Sequence, residues 1–189
     1  MDFRLAPDPR VMTWAPPSGG ARSSKSVFAT FQGRKLRIQT PKCRCRMFRD
    51  GATSSLYLYS DDHEVQQDFL KYVTALEDYC SSLTYLRGCE LSSCIRNGTS
   101  VRLNVWESTE WFDLEGLHVP SPESLNACSC ILEFTGCWLS AGQKFGLKWK
   151  VVQVKEETPP GKPMEGFLDD EGDDGQPIGT QHECMFLDD

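Results

Sequence analysis

Hydrophobic and polar positions alternate most regularly near the end of the chain. One set of alternate positions holds Phe145, Leu147, Trp149, Val151 and Gln153, and the other holds Lys148, Lys150, Val152 and Val154. Successive side chains of a strand point to opposite faces, so this spacing predicts a β-strand that buries the first set. Shorter runs of β-forming residues predict further strands at 27–31, 36–40, 56–59, 101–105 and 128–139.

One segment has a helical period instead. Its apolar residues recur at steps of three and four, at Val65, Phe69, Val73, Leu76, Cys80 and Leu83. This spacing predicts an amphipathic helix of about five to six turns. Asp61 and Asp62 stand where an N-cap residue is expected. Five or more strands with one prominent helix predict a mainly β fold, such as an OB-fold-like small barrel.

Composition divides the 189 residues into three parts. Residues 1–26 are rich in Pro, Gly and Ser, which predicts a disordered N-terminal arm. Residues 27–157 carry the strand and helix patterns and predict one compact domain. Residues 158–189 predict a flexible acidic tail. No apolar run is long enough to span a membrane, and the N-terminal residues do not have the pattern of a secretory signal.

Charge is sorted along the chain. Residues 21–50 contain nine basic side chains and one acid, whereas residues 156–189 contain eleven acids and one base. The formal net charge of -7 conceals this separation. A basic segment and an acidic tail together indicate a surface that binds a polyanion and a tail that competes for it.

Basic and aromatic residues interleave in two segments, as a single-stranded nucleic acid requires. Cations neutralise phosphates, and aromatic rings stack on bases of any sequence. The candidate DNA-binding residues are Arg34, Arg37, Lys42, Arg44, Arg46, Phe48, Trp106, Trp138, Lys144, Lys148 and Lys150. Phe48, Trp138 or Trp106 would stack on bases. The alternative interpretation places the aromatic rings in the core and leaves the cations as a solvated face.

The acidic tail contains aromatic residues among its charges. Its candidate regulatory residues are Asp169, Asp170, Glu171, Asp173, Asp174 and Phe186. A flexible polyanion with embedded rings imitates single-stranded DNA, and we expect it to compete for the binding groove or to recruit a partner. The alternative is a tail that only improves solubility.

Signals for catalysis and for a metal are weak. The sequence has no phosphate-binding glycine loop and no nucleophile elbow. Its carboxylates at Asp61, Asp62 and Glu64 leave a two-metal nuclease open as an alternative, but such acids also suit a helix N-terminus. Nine cysteines, in part spaced as Cys-x-Cys, suit packing as well as zinc ligation. We therefore expect a non-enzymatic protein without a cofactor or a required metal.

Two motifs carry a family resemblance. Residues 36–41, with the basic residues after them, resemble the IQTP strand of an OB-fold single-stranded DNA-binding protein family of large nucleocytoplasmic DNA viruses. Residues 136–155 are similar to the closing hairpin of that family. The family is related to the single-stranded DNA-binding proteins of podophages, which also end in an acidic tail.

The resemblance implies a protein that coats single-stranded DNA in viral replication or recombination, in the cytoplasmic viral factory or the nucleus. It also implies a tail that recruits replication proteins, and a homo-oligomer is compatible with it. We expect the DNA to lie between the basic strand at 36–40 and the closing strand. The alternatives are a virion or interaction protein that binds a basic partner through its tail, and the metal-dependent nuclease.

Overall fold

The structure is a computed structural model that describes residues 1–18, 25–50, 53–61, 63–141 and 143–158. One α-helix, α1, spans Glu64–Ser82. The strands are β1 (Thr13–Trp14), β2 (Lys25–Thr30), β3 (Leu36–Gln39), β4 (Cys43–Asp50), β5 (Thr53–Tyr59), β6 (Glu90–Leu91), β7 (Ile95–Arg96), β8 (Ser100–Val105), β9 (Glu110–Phe112), β10 (His118–Val119), β11 (Ala127–Leu139) and β12 (Lys144–Glu156).

The antiparallel hairpin of β11 and β12 forms the spine of the sheet. Along its outer edge, β11 pairs with β4, β3 and β2 in turn, so three separate strands continue the sheet on that side. On the other side, β12 pairs in parallel with β6 and β9. The sheet is therefore mixed, which confirms the expectation of a mainly β chain with one prominent helix.

The sheet curls because β4, β5 and β8 continue it as an antiparallel meander. This meander brings β8 alongside β12. Among the described residues no ladder joins these two strands, so the sheet remains open along this line, which we call the seam. The barrel expected from the sequence is thus a curled sheet with one unpaired side.

The core lies inside this curl and contacts α1. Residues 127–134 of β11 are buried throughout, because the strand is covered on both faces. The ring of Phe134 packs 4.7 Å from that of Trp149 on the neighbouring strand. The face of β12 predicted to be buried is buried. Val154 is buried as well, because the hairpin register shifts near Val152 and β9 covers the end of the strand.

Helix α1 agrees with the predicted period but not with the predicted cap. Phe69, Val73 and Leu76 are buried against the sheet. The N-cap residue is His63, whose side chain makes no capping hydrogen bond. Asp61 accepts hydrogen bonds from Arg44 instead. The N-cap prediction was wrong, since an arginine on the adjacent strand binds this carboxylate.

Residues 1–18 are packed, so the predicted disordered arm is wrong for this part. They form two short 3-10 helices, Phe3–Leu5 and Pro9–Val11, and then β1. The Phe3 ring contacts Phe69 of α1 edge to face at 5.4 Å, and Met12 is buried. A few apolar residues fix a segment whose overall composition is typical of disorder.

The predicted acidic tail lies almost wholly outside the described residues, which end at position 158. Its candidate residues, Asp169, Asp170, Glu171, Asp173, Asp174 and Phe186, are among those outside. Within the described part of the chain, no helix is both long enough and apolar enough to cross a membrane.

Candidate nucleic-acid interface

The first candidate surface is the outward side of β4, β5 and β8. Alternation along β5 places Leu56 and Leu58 in the core and turns Tyr57 and Tyr59 outward. The strand register sets Arg46 beside Tyr57, and Tyr57 beside Arg102, in one row across the sheet. We call the outward residues Arg46, Phe48, Tyr57, Tyr59 and Arg102 the outer sheet face.

Rings and cations on the outer sheet face contact one another. The Arg46 guanidinium lies 4.8 Å from the centre of the Phe48 ring, a cation–π arrangement. The Phe48 and Tyr57 rings pack edge to face at 5.1 Å. Phe48 is nevertheless 44% exposed, far more than a ring buried for stability. The sheet holds these groups in position and leaves Phe48 accessible to a ligand.

The second candidate surface is a cavity of about 620 Å³ at the seam, which we call the seam pocket. The loop after β8 contributes Trp106, and β2 contributes Phe28. Lys148 and Lys150 line it from β12, and Glu133 lines it from β11. Trp106 is 56% exposed and Phe28 is 45% exposed. Lys35 lines it too, so two exposed rings and three lysines border one cavity.

A β-bulge at Thr135 brings Phe28 and Lys148 together. The register shift places Gly136 opposite both Lys148 on β12 and Phe28 on β2. Gly136 has a φ of 117°, and a Cβ at this position would lie 1.9 Å from the carbonyl oxygen of Val27. Only glycine allows β2 to approach this closely. As a result, the Lys148 ammonium lies 5.8 Å from the centre of the Phe28 ring.

A buried threonine positions Trp106. The Thr109 hydroxyl donates a hydrogen bond to the Val151 carbonyl oxygen on β12 at 2.9 Å. The same hydroxyl oxygen accepts a hydrogen bond from the Trp106 backbone N–H at 3.2 Å. Thr109 is 5% exposed, so water competes little for these bonds. The loop that carries the exposed tryptophan is thereby fixed to the opposite side of the seam.

Several predicted phosphate ligands already bind carboxylates. The Arg37 Nε donates to Glu133 at 3.0 Å, and the Lys35 ammonium donates to the other oxygen at 2.8 Å. Burial alone would raise the pKa of the Glu133 carboxyl, but these two cations outweigh burial and lower it. Arg44 binds Asp61, and its hydrogen bond is the main reason that the pKa of that carboxyl is lowered. Their positive charge is thus largely compensated within the protein.

Two more candidates lie in ion pairs at the margins of the sheet. Lys42 is 3.8 Å from Glu157, and Lys144 is 3.2 Å from Glu90. Arg34 occupies the exposed turn between β2 and β3, next to Lys35, and does not itself line the seam pocket. The sequence led us to expect a DNA groove between the two basic strands. The space between β3 and β12 is instead filled by β11, which pairs with both.

The remaining candidates fall on the two surfaces, with the exception of Trp138. Arg46 and Phe48 belong to the outer sheet face, and Trp106, Lys148 and Lys150 border the seam pocket. Trp138 packs on Gly146 and lines a second seam cavity of about 190 Å³, together with Arg102. In the described part of the chain, Arg46, Lys148 and Lys150 make no ion pair with a carboxylate.

Sequence reasoning overlooked Phe28, Tyr57, Tyr59 and Arg102. The alternation of leucine and tyrosine in β5 was a usable signal, since inward leucines require outward tyrosines. Arg102 likewise alternates with the buried Val101 and Leu103. Phe28 gave no such signal, because its place beside Lys148 depends on the bulge at Thr135.

Of the acidic residues considered for catalysis, Asp61 binds Arg44, Glu64 is the first residue of α1, and Asp62 lies outside the described residues. Two acids farther along the chain also have structural partners. Glu110 accepts a hydrogen bond from Gln153 at 2.8 Å, and Asp113 accepts one from the Leu117 backbone N–H at 2.8 Å. Among the described residues, no group of three or more His, Cys, Asp or Glu side chains is arranged to hold a metal ion.

Four cysteines lie together inside the sheet. Cys43 pairs with Cys128 across β4 and β11, and Cys45 and Cys130 are buried beside them. The Cys128 and Cys130 sulfur atoms are 3.8 Å apart. Burial is the largest cause of the raised pKa of the Cys43 and Cys128 thiols. Burial thus keeps the Cys43 and Cys128 thiols protonated, and all four side chains pack as small apolar groups.

No protein-family model matches the chain, and no curated protein matches it. Among solved structures, it is similar to the single-stranded DNA-binding protein from bacteriophage Enc34 in complex with ssDNA. That alignment has 10% identity and a TM-score of 0.44, and it covers 79% of this chain and 97% of the phage chain.

A second structure of the phage protein gives 11% identity, a TM-score of 0.46 and coverage of 83% and 96%. Its C-terminal truncation gives 10% identity, a TM-score of 0.43 and coverage of 78% and 96%. A likeness at this level leaves the function to be argued from this chain's own residues.

Proposed function

We propose that this protein binds single-stranded DNA across the outer sheet face and the seam pocket. One observation carries the proposal: exposed aromatic rings lie beside cations that no described carboxylate neutralises. Rings stack on unpaired bases and cations neutralise the phosphates between them. In a duplex the bases are already stacked, so the same rings would find few partners. Binding of this kind is sequence-tolerant and suits a protein that coats a strand.

The resemblance in the IQTP strand and the closing hairpin supports a more specific proposal. In it, the protein coats single-stranded DNA during viral replication or recombination, in the viral factory or the nucleus. The acidic tail competes for the binding surface and recruits replication proteins. The composition of the tail supports the proposed competition, because acids and aromatic rings together imitate a nucleic-acid strand.

A fluorescence titration of the full-length protein with oligo-dT tests the proposal. Replacing both Phe48 and Tyr57 by alanine removes two stacking rings, each worth about 1–3 kcal/mol. We expect affinity to fall at least tenfold. Tyr85→Ala is the matched control, because Tyr85 is 45% exposed but follows α1, outside both surfaces. It should bind like the wild type.

The same titration at several salt concentrations measures how many cations contact phosphates. Arg46, Arg102, Lys148 and Lys150 would give a slope of log affinity against log salt of about −3. A larger set of phosphate contacts would give about −5. These are the seven expected from the sequence at Arg34, Arg37, Lys42, Arg44, Arg46, Lys148 and Lys150. Binding that is absent, or equally strong in the double variant and the wild type, would overturn the proposal.

A further inference from the structure

The seam pocket differs from the outer sheet face in the spacing of its rings. On the outer sheet face, Phe48 and Tyr57 contact each other, so a base can stack only on their exposed side. Phe28 and Trp106 border the same cavity, but no ring contact joins them among the described residues. The two rings therefore border one open cavity without packing on each other.

We infer that the seam pocket takes a single nucleobase turned out of the strand and held between Phe28 and Trp106. This inference rests on the proposed function and assigns one part of the strand to one cavity. A planar base placed between two rings would stack on both of its faces. The phosphates on either side of such a base would lie near Lys148 and Lys150, which border the same cavity.

The backbone segments that carry the two rings are held in place by buried contacts. Thr109 fixes the backbone of Trp106 to β12, and the close approach at Gly136 fixes β2, which carries Phe28. Glu133 holds Lys35 against the cavity wall by a 2.8 Å hydrogen bond. Rigid supports reduce the entropy that is lost when a ligand binds, so this cavity is preorganised. Thr109 acts here as a positioning residue.

A set of dT oligonucleotides tests the inference on the full-length protein. Each is trimmed to the shortest length that keeps full affinity, so that the protein cannot shift along it, and each has one thymidine replaced by an abasic site. Wild-type affinity should fall five- to hundredfold at one position of the set, since one stacked base is worth about 1–3 kcal/mol. Trp106→Ala should bind the intact oligonucleotide as weakly as the wild type binds the most affected abasic one. An abasic site at that position should not weaken binding of the variant any further. Trp106→Phe keeps a ring and should retain most of the affinity.

The supporting residue needs a readout beyond affinity. Thr109→Val removes both hydrogen bonds and should reduce the quenching of tryptophan emission when DNA binds, whereas Thr109→Ser should restore it. Thermal melting shows whether each variant is folded.

Failure of this inference is distinguishable from failure of the proposed function. If the wild type binds and the Phe48→Ala/Tyr57→Ala variant is weakened, but Trp106→Ala and Phe28→Ala bind like Tyr85→Ala, the pocket holds no base. A Trp106→Ala protein that remains sensitive to the same abasic position would likewise overturn the inference. If the wild type does not bind at all, the proposed function itself is wrong.

Discussion

The outer sheet face and the seam pocket are two ways of presenting aromatic rings beside cations. On the outer sheet face, neighbouring strands in regular register bring Arg46, Phe48 and Tyr57 together, and the groups contact one another. At the seam pocket, Phe28 and Trp106 come from distant parts of the chain and border one cavity, and a buried hydrogen bond fixes the loop that carries Trp106. Regular pairing thus makes a flat surface, whereas a bulge and a side-chain hydrogen bond make a cavity.

The largest expected effect comes from the support beneath Phe28. Gly136→Ala places a methyl group within 1.9 Å of the Val27 carbonyl oxygen, so β2 must move away from β11. We expect a loss of roughly 3 kcal/mol or more in the free energy of unfolding, measured by urea denaturation.

The control for this variant is Gly33→Ala. Gly33 also has a positive φ, 74°, but nothing lies within 4 Å of its added Cβ. It should lose only about 1 kcal/mol. Equal losses in the two variants would show that the backbone angle, and not the close approach of β2, sets the requirement for glycine.

An intermediate effect separates two arginines on the same face of β4. Arg46→Gln and Arg44→Gln change the net charge equally, but Arg44 is bound to Asp61 and Arg46 lies over Phe48. We expect Arg46→Gln to weaken binding to oligo-dT about three- to tenfold, and Arg44→Gln to weaken it twofold or less. Equal weakening would mean that binding depends on overall charge and not on the outer sheet face.

The smallest effect concerns which surface the acidic tail occupies. Truncation after Thr158 removes most of the acids but keeps Glu157, which binds Lys42 and accepts a hydrogen bond from Ser129. We expect the truncated protein to bind oligo-dT a few-fold more tightly at low salt. If the tail competes at the seam pocket, Trp106→Ala should cancel this gain. Unchanged affinity on truncation would contradict competition altogether.

These two surfaces also show what a sequence can predict. Alternation correctly placed Arg44 and Arg46 on one face of a strand, and Lys148 and Lys150 opposite the buried Trp149. It did not reveal which cations are neutralised, because Lys35 meets Glu133 across 98 positions of the chain. The bulge at Thr135 and the hydrogen bond of Thr109 are equally non-local. The strands were therefore predictable, whereas the seam pocket was not.

The seam has a mechanical consequence. Every other junction along the path from β12 through β11, β4 and β5 to β8 is tied by ladder hydrogen bonds. Separation of β8 from β12 at the seam breaks no ladder in the described residues. The hydrogen bond from Thr109 to Val151 connects the two sides. Backbone amides that face the seam should consequently exchange with solvent sooner than those of the β11–β12 hairpin. A strand of DNA bound to both sides of the seam would add a second connection between them and slow that exchange.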